Sequence, residues 1–195
     1  MRSFVLVLVL AAAAISRVLI AQWAPELASF SIVGALALVA GAYGGLRWTS
    51  FAFTFTFLFL SDLVINAWVY EGKYGLIHSG FYWPYLIFAG IIYLGYRLSP
   101  GTRVGRWVIG SIVATILHAG ILDGLYWAMG GTDILTGLPL PKTAQGLMQA
   151  YVQGLPFAKN FFAGTLFYSL ILMICLEFSP SLFQRFMKAT ERISR

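Results

Sequence analysis

Few residues in this chain are equipped for chemistry, and nearly all of them sit inside apolar runs. Arg17, Asp62, Asn66, His118, Asp123, Trp127, Lys159 and Asn160 are the main exceptions. An ionisable side chain at membrane depth is costly, so each needs a partner or a task. Asp62 and Asn66 are four apart and share one face of a helix. His118 and Asp123 are five apart, about 140° around a helix, and point in different directions. Asp123 instead shares a face with Trp127 and, nearly, with Tyr126. Arg17 is the natural counter-ion for Asp62 or Asp123. Carboxylates, amides, a guanidinium and an indole can together hold a small solute by charge and hydrogen bonding.

Catalytic chemistry finds less support. No two carboxylates are spaced for paired acid–base work, and neither a serine nor Cys175 has a base partner in view. The sequences C-x-x-C, G-x-x-x-x-G-K-[ST] and G-x-S-x-G are absent. A single cysteine excludes an internal disulfide. His78 and His118 are too few for most protein-only metal sites, and His118 reads first as a hydrogen-bonded packing residue rather than a tetrapyrrole ligand. The expectation is a non-enzymatic protein without cofactor or metal. The net charge of +6 does not point to nucleic acid, because the basic residues are spread along short loops and the C-terminus.

The elements that must position these groups follow from composition. The chain has 195 residues, 59% hydrophobic and 10% charged, against about 25% charged in soluble domains. Lipid must therefore be the solvent for most of it, and the fold class is an all-α, polytopic transmembrane helix bundle. Six apolar stretches are expected to span: Ser3–Ala21, Ala28–Gly45, Trp48–Tyr70, Phe81–Arg97, Trp107–Met129 and Phe157–Phe178. Arg17 suits a retained first helix better than a cleaved leader. Gly34, Ala37, Gly41, Gly44 and Gly45 fall on one face of the second stretch, where another helix of the same chain can approach closely. The alternating phenylalanines from Phe51 to Phe59 could suggest a strand, but a lone strand cannot span lipid.

The connection from Gly130 to Pro156 is the longest, and Thr143–Leu155 within it is expected to form a short interfacial helix. Residues 1–180 form the bundle. Residues 181–195 form an amphipathic basic tail suited to anionic headgroups. Six spans put both ends on one side. That side collects Arg2, Arg47, Arg97, Arg103, Arg106, Arg185, Lys188, Arg192 and Arg195, and the other only Arg17, Lys73, Lys142 and Lys159. The positive-inside rule then places both termini in the cytoplasm and the long connection outside. Trp23, Trp48, Trp83 and Trp107 near helix ends fit an aromatic belt. Arg17, Asp62, Asn66, Asp123, Trp127 and Asn160 then converge at the outer end, and are the expected solute-binding residues.

Three segments carry a resemblance: FSIVGALALVAGAY at Phe30–Tyr43, SDL at Ser61–Leu63, and PKTAQGLMQAYVQGLPFAKNFFAGTLFY at Pro141–Tyr168. They resemble a bacterial family of uncharacterised membrane proteins known only as candidate transport proteins. In size and helix count that family is similar to the solute-binding S components of energy-coupling-factor transporters. The resemblance implies a six-helix bundle that captures a small solute from outside, with partner subunits supplying ATP hydrolysis. It also implies a docking role for small residues of the first helix, which Ala11–Ala14 match. This chain departs from the pattern at Thr165, where an acidic residue is expected, and lacks the asparagine and proline expected before VGALAL.

The leading expectation is a solute-binding transport subunit of the bacterial inner membrane, in contact with lipid and with other membrane subunits. The alternative is a structural accessory subunit of a larger respiratory or photosynthetic complex. The small-residue stripe, the aromatic richness and the amphipathic tail also suit that role.

Overall fold

The computed structural model describes residues 2–73, 80–98 and 103–177, with side chains between residues 10 and 176. Six helices make up the fold: α1 (Arg2–Trp23), α2 (Val33–Val39), α3 (Trp48–Trp68), α4 (Tyr82–Tyr96), α5 (Val104–Ala128) and α6 (Ala144–Glu177). No β-strand occurs among the described residues; a lone bridge pairs Thr132 with Pro139. The tail at 181–195 and His78 lie outside the described residues. Among the described residues three helices, α3, α5 and α6, are long and apolar enough to cross a membrane.

The helix surfaces are inverted relative to a water-soluble protein. On α3 the buried positions are Ser50, Thr54, Leu58 and Ser61, while Phe53, Phe59 and Leu60 are exposed. On α5, Trp107, Gly110, Ser111 and Ala114 are buried, and Ile109, Ile112 and Ile116 face outward. Small and hydroxylated residues turned inward with bulky apolar ones outward is the pattern that suits helices packing in lipid. The inward hydroxyls of α3 are satisfied locally. Thr54 donates to the Ser50 carbonyl at 2.9 Å and Ser61 to that of Phe57 at 2.8 Å.

The second stretch forms much less helix than its composition predicts. Residues 28–32 are non-helical, with a turn at 28–29 and a bend at 31–32, and Ser29 adopts a φ of 72°, outside the helical region. The helix begins only at Val33, and every residue of α2 is buried. It continues as a five-residue π-helical turn, Ala40–Gly44. At about 1.5 Å per residue the whole is roughly 18 Å long, against about 30 Å of hydrocarbon. It therefore lies inside the protein, wedged against α4 and α6. Glycines permit the close approach. A methyl group on Gly41 would run into the backbone of Ile92 and Tyr96, and one on Gly95 into the backbone of Leu38. Gly34 gives way to Thr165 and Phe161 of α6. The small-residue stripe thus packs within the chain.

Two further expectations are corrected. Thr143–Leu155 is not a separate interfacial helix: Ala144–Glu177 is one helix of 34 residues with Pro156 inside it. Proline removes one backbone donor, here the one owed to the Val152 carbonyl, without ending the helix. At about 1.5 Å per residue α6 is roughly 51 Å long, well over the thickness of a hydrocarbon layer, about 30 Å. Trp107, expected in an aromatic belt, is fully buried and stacks on Tyr43 at 6.4 Å.

The α2–α4 crossing sets a stability test. Gly95→Ala should lower stability by about 1–3 kcal/mol through overpacking. Gly120→Ala, in open space on α5, should be neutral or stabilising by up to about 1 kcal/mol. Thermal unfolding of the two variants in detergent measures the difference.

Candidate functional site

The ends of α1, α3 and α5 and the starts of α2 and α4 surround a cavity of about 420 Å³. Arg17 and Asp62 stand on its wall. Arg17 donates from Nη2 to Asp62 Oδ1 at 2.5 Å and from Nη1 to the Ser61 hydroxyl. Ser61 in turn donates a hydrogen bond to the Phe57 carbonyl, which leaves its oxygen to accept from the guanidinium. The Arg17 side chain is 19% exposed and that of Asp62 47%. The counter-ion pair expected from the sequence is therefore present, with its carboxylate half open.

The rest of the wall is aromatic and apolar. The rings of His118 and Phe161 lie parallel, 4.0 Å apart, and Phe88 tilts against His118 at 5.6 Å. Phe30 closes another side and contacts Tyr168 at 5.8 Å. His118 makes no hydrogen bond to any described residue, contrary to its reading as a hydrogen-bonded packing residue. Among the described residues no three His, Cys, Asp or Glu side chains group closely enough to hold a metal ion.

The backbone between α1 and α2 forms the lip. Pro25, Ala28, Ser29, Phe30 and Ser31 all line the cavity. Asn160 of α6 donates from Nδ2 to the carbonyls of Glu26 at 2.7 Å and Ala28 at 3.0 Å. One turn further along, Gly164 leaves no room for a Cβ between α6 and the backbone at Phe30 and Ser31. Asn160 thus fixes the lip and does not line the cavity.

The remaining expected residues separate. Asp123 lies on the wall of a second cavity of about 560 Å³, between α5, α6 and the start of α4. Pro84 and Leu122 line both cavities and divide them. Asn66 is on neither wall. Trp127 clamps the α5–α6 connection. Its Nε1 donates to the Pro141 carbonyl at 2.8 Å, and Lys142 sits 5.0 Å over its ring while bonding the Trp127 carbonyl. The polar groups of α1, α3, α5 and α6 are divided between two chambers and two structural anchors. Phe30, Phe88, His118 and Phe161 were not among the expected binding residues. With 16 phenylalanines in the chain, nothing local distinguishes the few that face the cavity.

The connection at 129–143 is ordered by Asp133. Its carboxylate accepts from the Leu135 amide at 2.9 Å, the Thr136 hydroxyl at 3.0 Å and Gln153 Nε2 at 2.8 Å. The Leu135 amide above all, with the Thr136, Gln149 and Gln153 side chains, holds this carboxyl below the ordinary carboxylate range.

An all-helical protein results, with three helices long and apolar enough to cross a membrane and a polar-rimmed, aromatic-walled cavity among them. Within that class the chain belongs to a family of unknown function, DUF6580, whose sequence profile matches residues 1–187. No curated protein and no solved structure matches it.

The Asp133 geometry predicts a pH response. A carboxyl with a depressed folded pKa contributes order that is complete above the unfolded pKa and lost as pH falls through the folded one. Asp133→Ala should therefore speed amide exchange across residues 130–143 at neutral pH. The difference from the parent chain should vanish well below the ordinary carboxylate range. Hydrogen-exchange mass spectrometry at matched pH checks both.

Proposed function

We propose that this protein is a multi-pass inner-membrane subunit that binds a small solute in the Arg17–Asp62 cavity, in the manner of an S component. Both termini face the cytoplasm, and the cavity opens on the outer side. The distribution of basic residues supports that orientation, and the inverted surfaces of α3 and α5 support the lipid setting.

The observation that carries the reading is a charged pair placed on the wall of an open, aromatic-walled cavity. An ion pair that only holds helices in register needs no space beside it. Here the half-exposed Asp62 faces a volume within the range of roughly 300–1,000 Å³ typical of small-molecule sites. The solute is a compact molecule with a flat apolar part for the His118–Phe161 stack and a polar group for Arg17 and Asp62. The protein is a binder and not an enzyme. Energy for transport comes from partner subunits, since the chain holds no phosphate-binding loop.

Gentle purification from the native membrane, followed by mass spectrometry of bound solutes and proteins, tests this. A small solute should accompany the protein, and Asp62→Asn should reduce its occupancy about tenfold or more, near 1.4 kcal/mol. The same substitution should cost no more than about 1 kcal/mol of stability, because the pair is partly solvated. Recovery as a fixed part of a respiratory or photosynthetic assembly, with no solute bound, would overturn the proposal in favour of a structural accessory subunit.

A further inference from the structure

We infer that the second cavity is a binding site for a small organic ammonium ion, held by Asp123. Asp123 lies late in α5, a helix long and apolar enough to cross a membrane. An acidic group there normally pairs with a cation or with hydrogen-bond donors. Asp123 has neither among the described residues: no hydrogen bond or ion pair reaches it from any of them. Its carboxylate is seated directly against α6 at Gly154, where an added methyl group would collide with the carboxylate atoms. The absent side chain at 154 is what makes room for the acid.

The surroundings specify the ligand. Gln153 lines the same cavity. Its Nε2 is committed to Asp133 at 2.8 Å, and its Oε1 is buried with no donor. That oxygen has no surface open to the chamber, so the acceptor the chamber offers is the Asp123 carboxylate. No Lys, Arg or His is among its described lining residues. Trp83, Tyr126 and Phe157 supply aromatic walls. An unpaired carboxylate and π faces complement a positively charged N–H donor. An anion finds no counter-charge. A bare divalent metal finds too few oxygens, since hard cations take six or more. A volume of about 560 Å³ exceeds what a single ion fills and suits an amine carrying an apolar body. This inference does not depend on the Arg17–Asp62 cavity, which lies beyond Pro84 and Leu122.

Calorimetric titration of the full chain in lipid nanodiscs tests it, with 2-phenylethylammonium as probe and 2-phenylethanol as its neutral counterpart. The unmodified protein should bind the ammonium about tenfold or more tightly than the alcohol, and Asp123→Asn should abolish that preference. Should Asp123→Asn fail to fold, Trp83→Leu reports on the aromatic wall instead and should narrow the preference. Equal affinity for the two probes in the unmodified protein overturns the inference without any variant. So does a preference that survives Asp123→Asn but is lost in Asp62→Asn, which would put the cation in the first cavity. Ammonium binding with no co-purifying solute in the Arg17–Asp62 cavity would leave this inference standing while the transport reading failed.

Discussion

The structure is organised by a helix too short for its setting. α2 is wholly enclosed and its π-helical extension partly so, yet together they reach across little more than half a hydrocarbon layer. Irregular backbone at such depth is tolerated only where protein covers it or where it borders a cavity. Both solutions are used. The lower part of α2 is sealed by backbone contact with α4, through Gly41 and Gly95. At the other end the turns at 24–32 are strapped to α6 by Asn160 and Gly164. The space left between the strap and the ends of the longer helices is the first cavity.

The polar groups divide by what they face. Trp127, Lys142, Asn160 and Asp133 spend their hydrogen bonds on nearby backbone or on one another's segments, and they order the connections. Arg17, Asp62, His118 and Asp123 face space. The carbonyls this first group serves lie at helix ends or in the connections, where backbone carbonyls lack partners within a helix. The second sits between one and three turns inside its helices, where a polar side chain without a nearby carbonyl must look across to another helix or into a cavity.

Much of this was legible in the sequence, for physical reasons that differ by element. α3 and α5 announce themselves because a run of about 20 apolar residues has few other uses. The Arg17–Asp62 pair follows from two charges that each require a partner in an apolar setting. The shortness of α2 was hidden, because Ala28–Gly45 is uniformly small or apolar and gives no sign that Ser29 breaks the helix. The start of α6 was misplaced because proline ordinarily marks a boundary, and Pro156 does not. Placing Asp123 with Arg17 failed because the level of a residue along a helix can be read from sequence, whereas its rotation relative to distant helices cannot. Trp127 and Asn160 looked like pocket residues for want of any view of the carbonyls they serve.

Pro156 has a mechanical consequence. A helix resists bending through its ladder of hydrogen bonds, and the rung that Val152 would receive is missing. Gln153, Gly154 and Phe157, clustered about this gap, wall the chamber of Asp123, while Phe161, beyond it, floors the chamber of Arg17 and Asp62. The longest rod in the protein is thus softest beside one chamber and stiff again at the other. Flexure at this joint alters the shape of the Asp123 chamber while the Asn160 and Gly164 attachments keep the lip of its neighbour fixed to the same stiff segment.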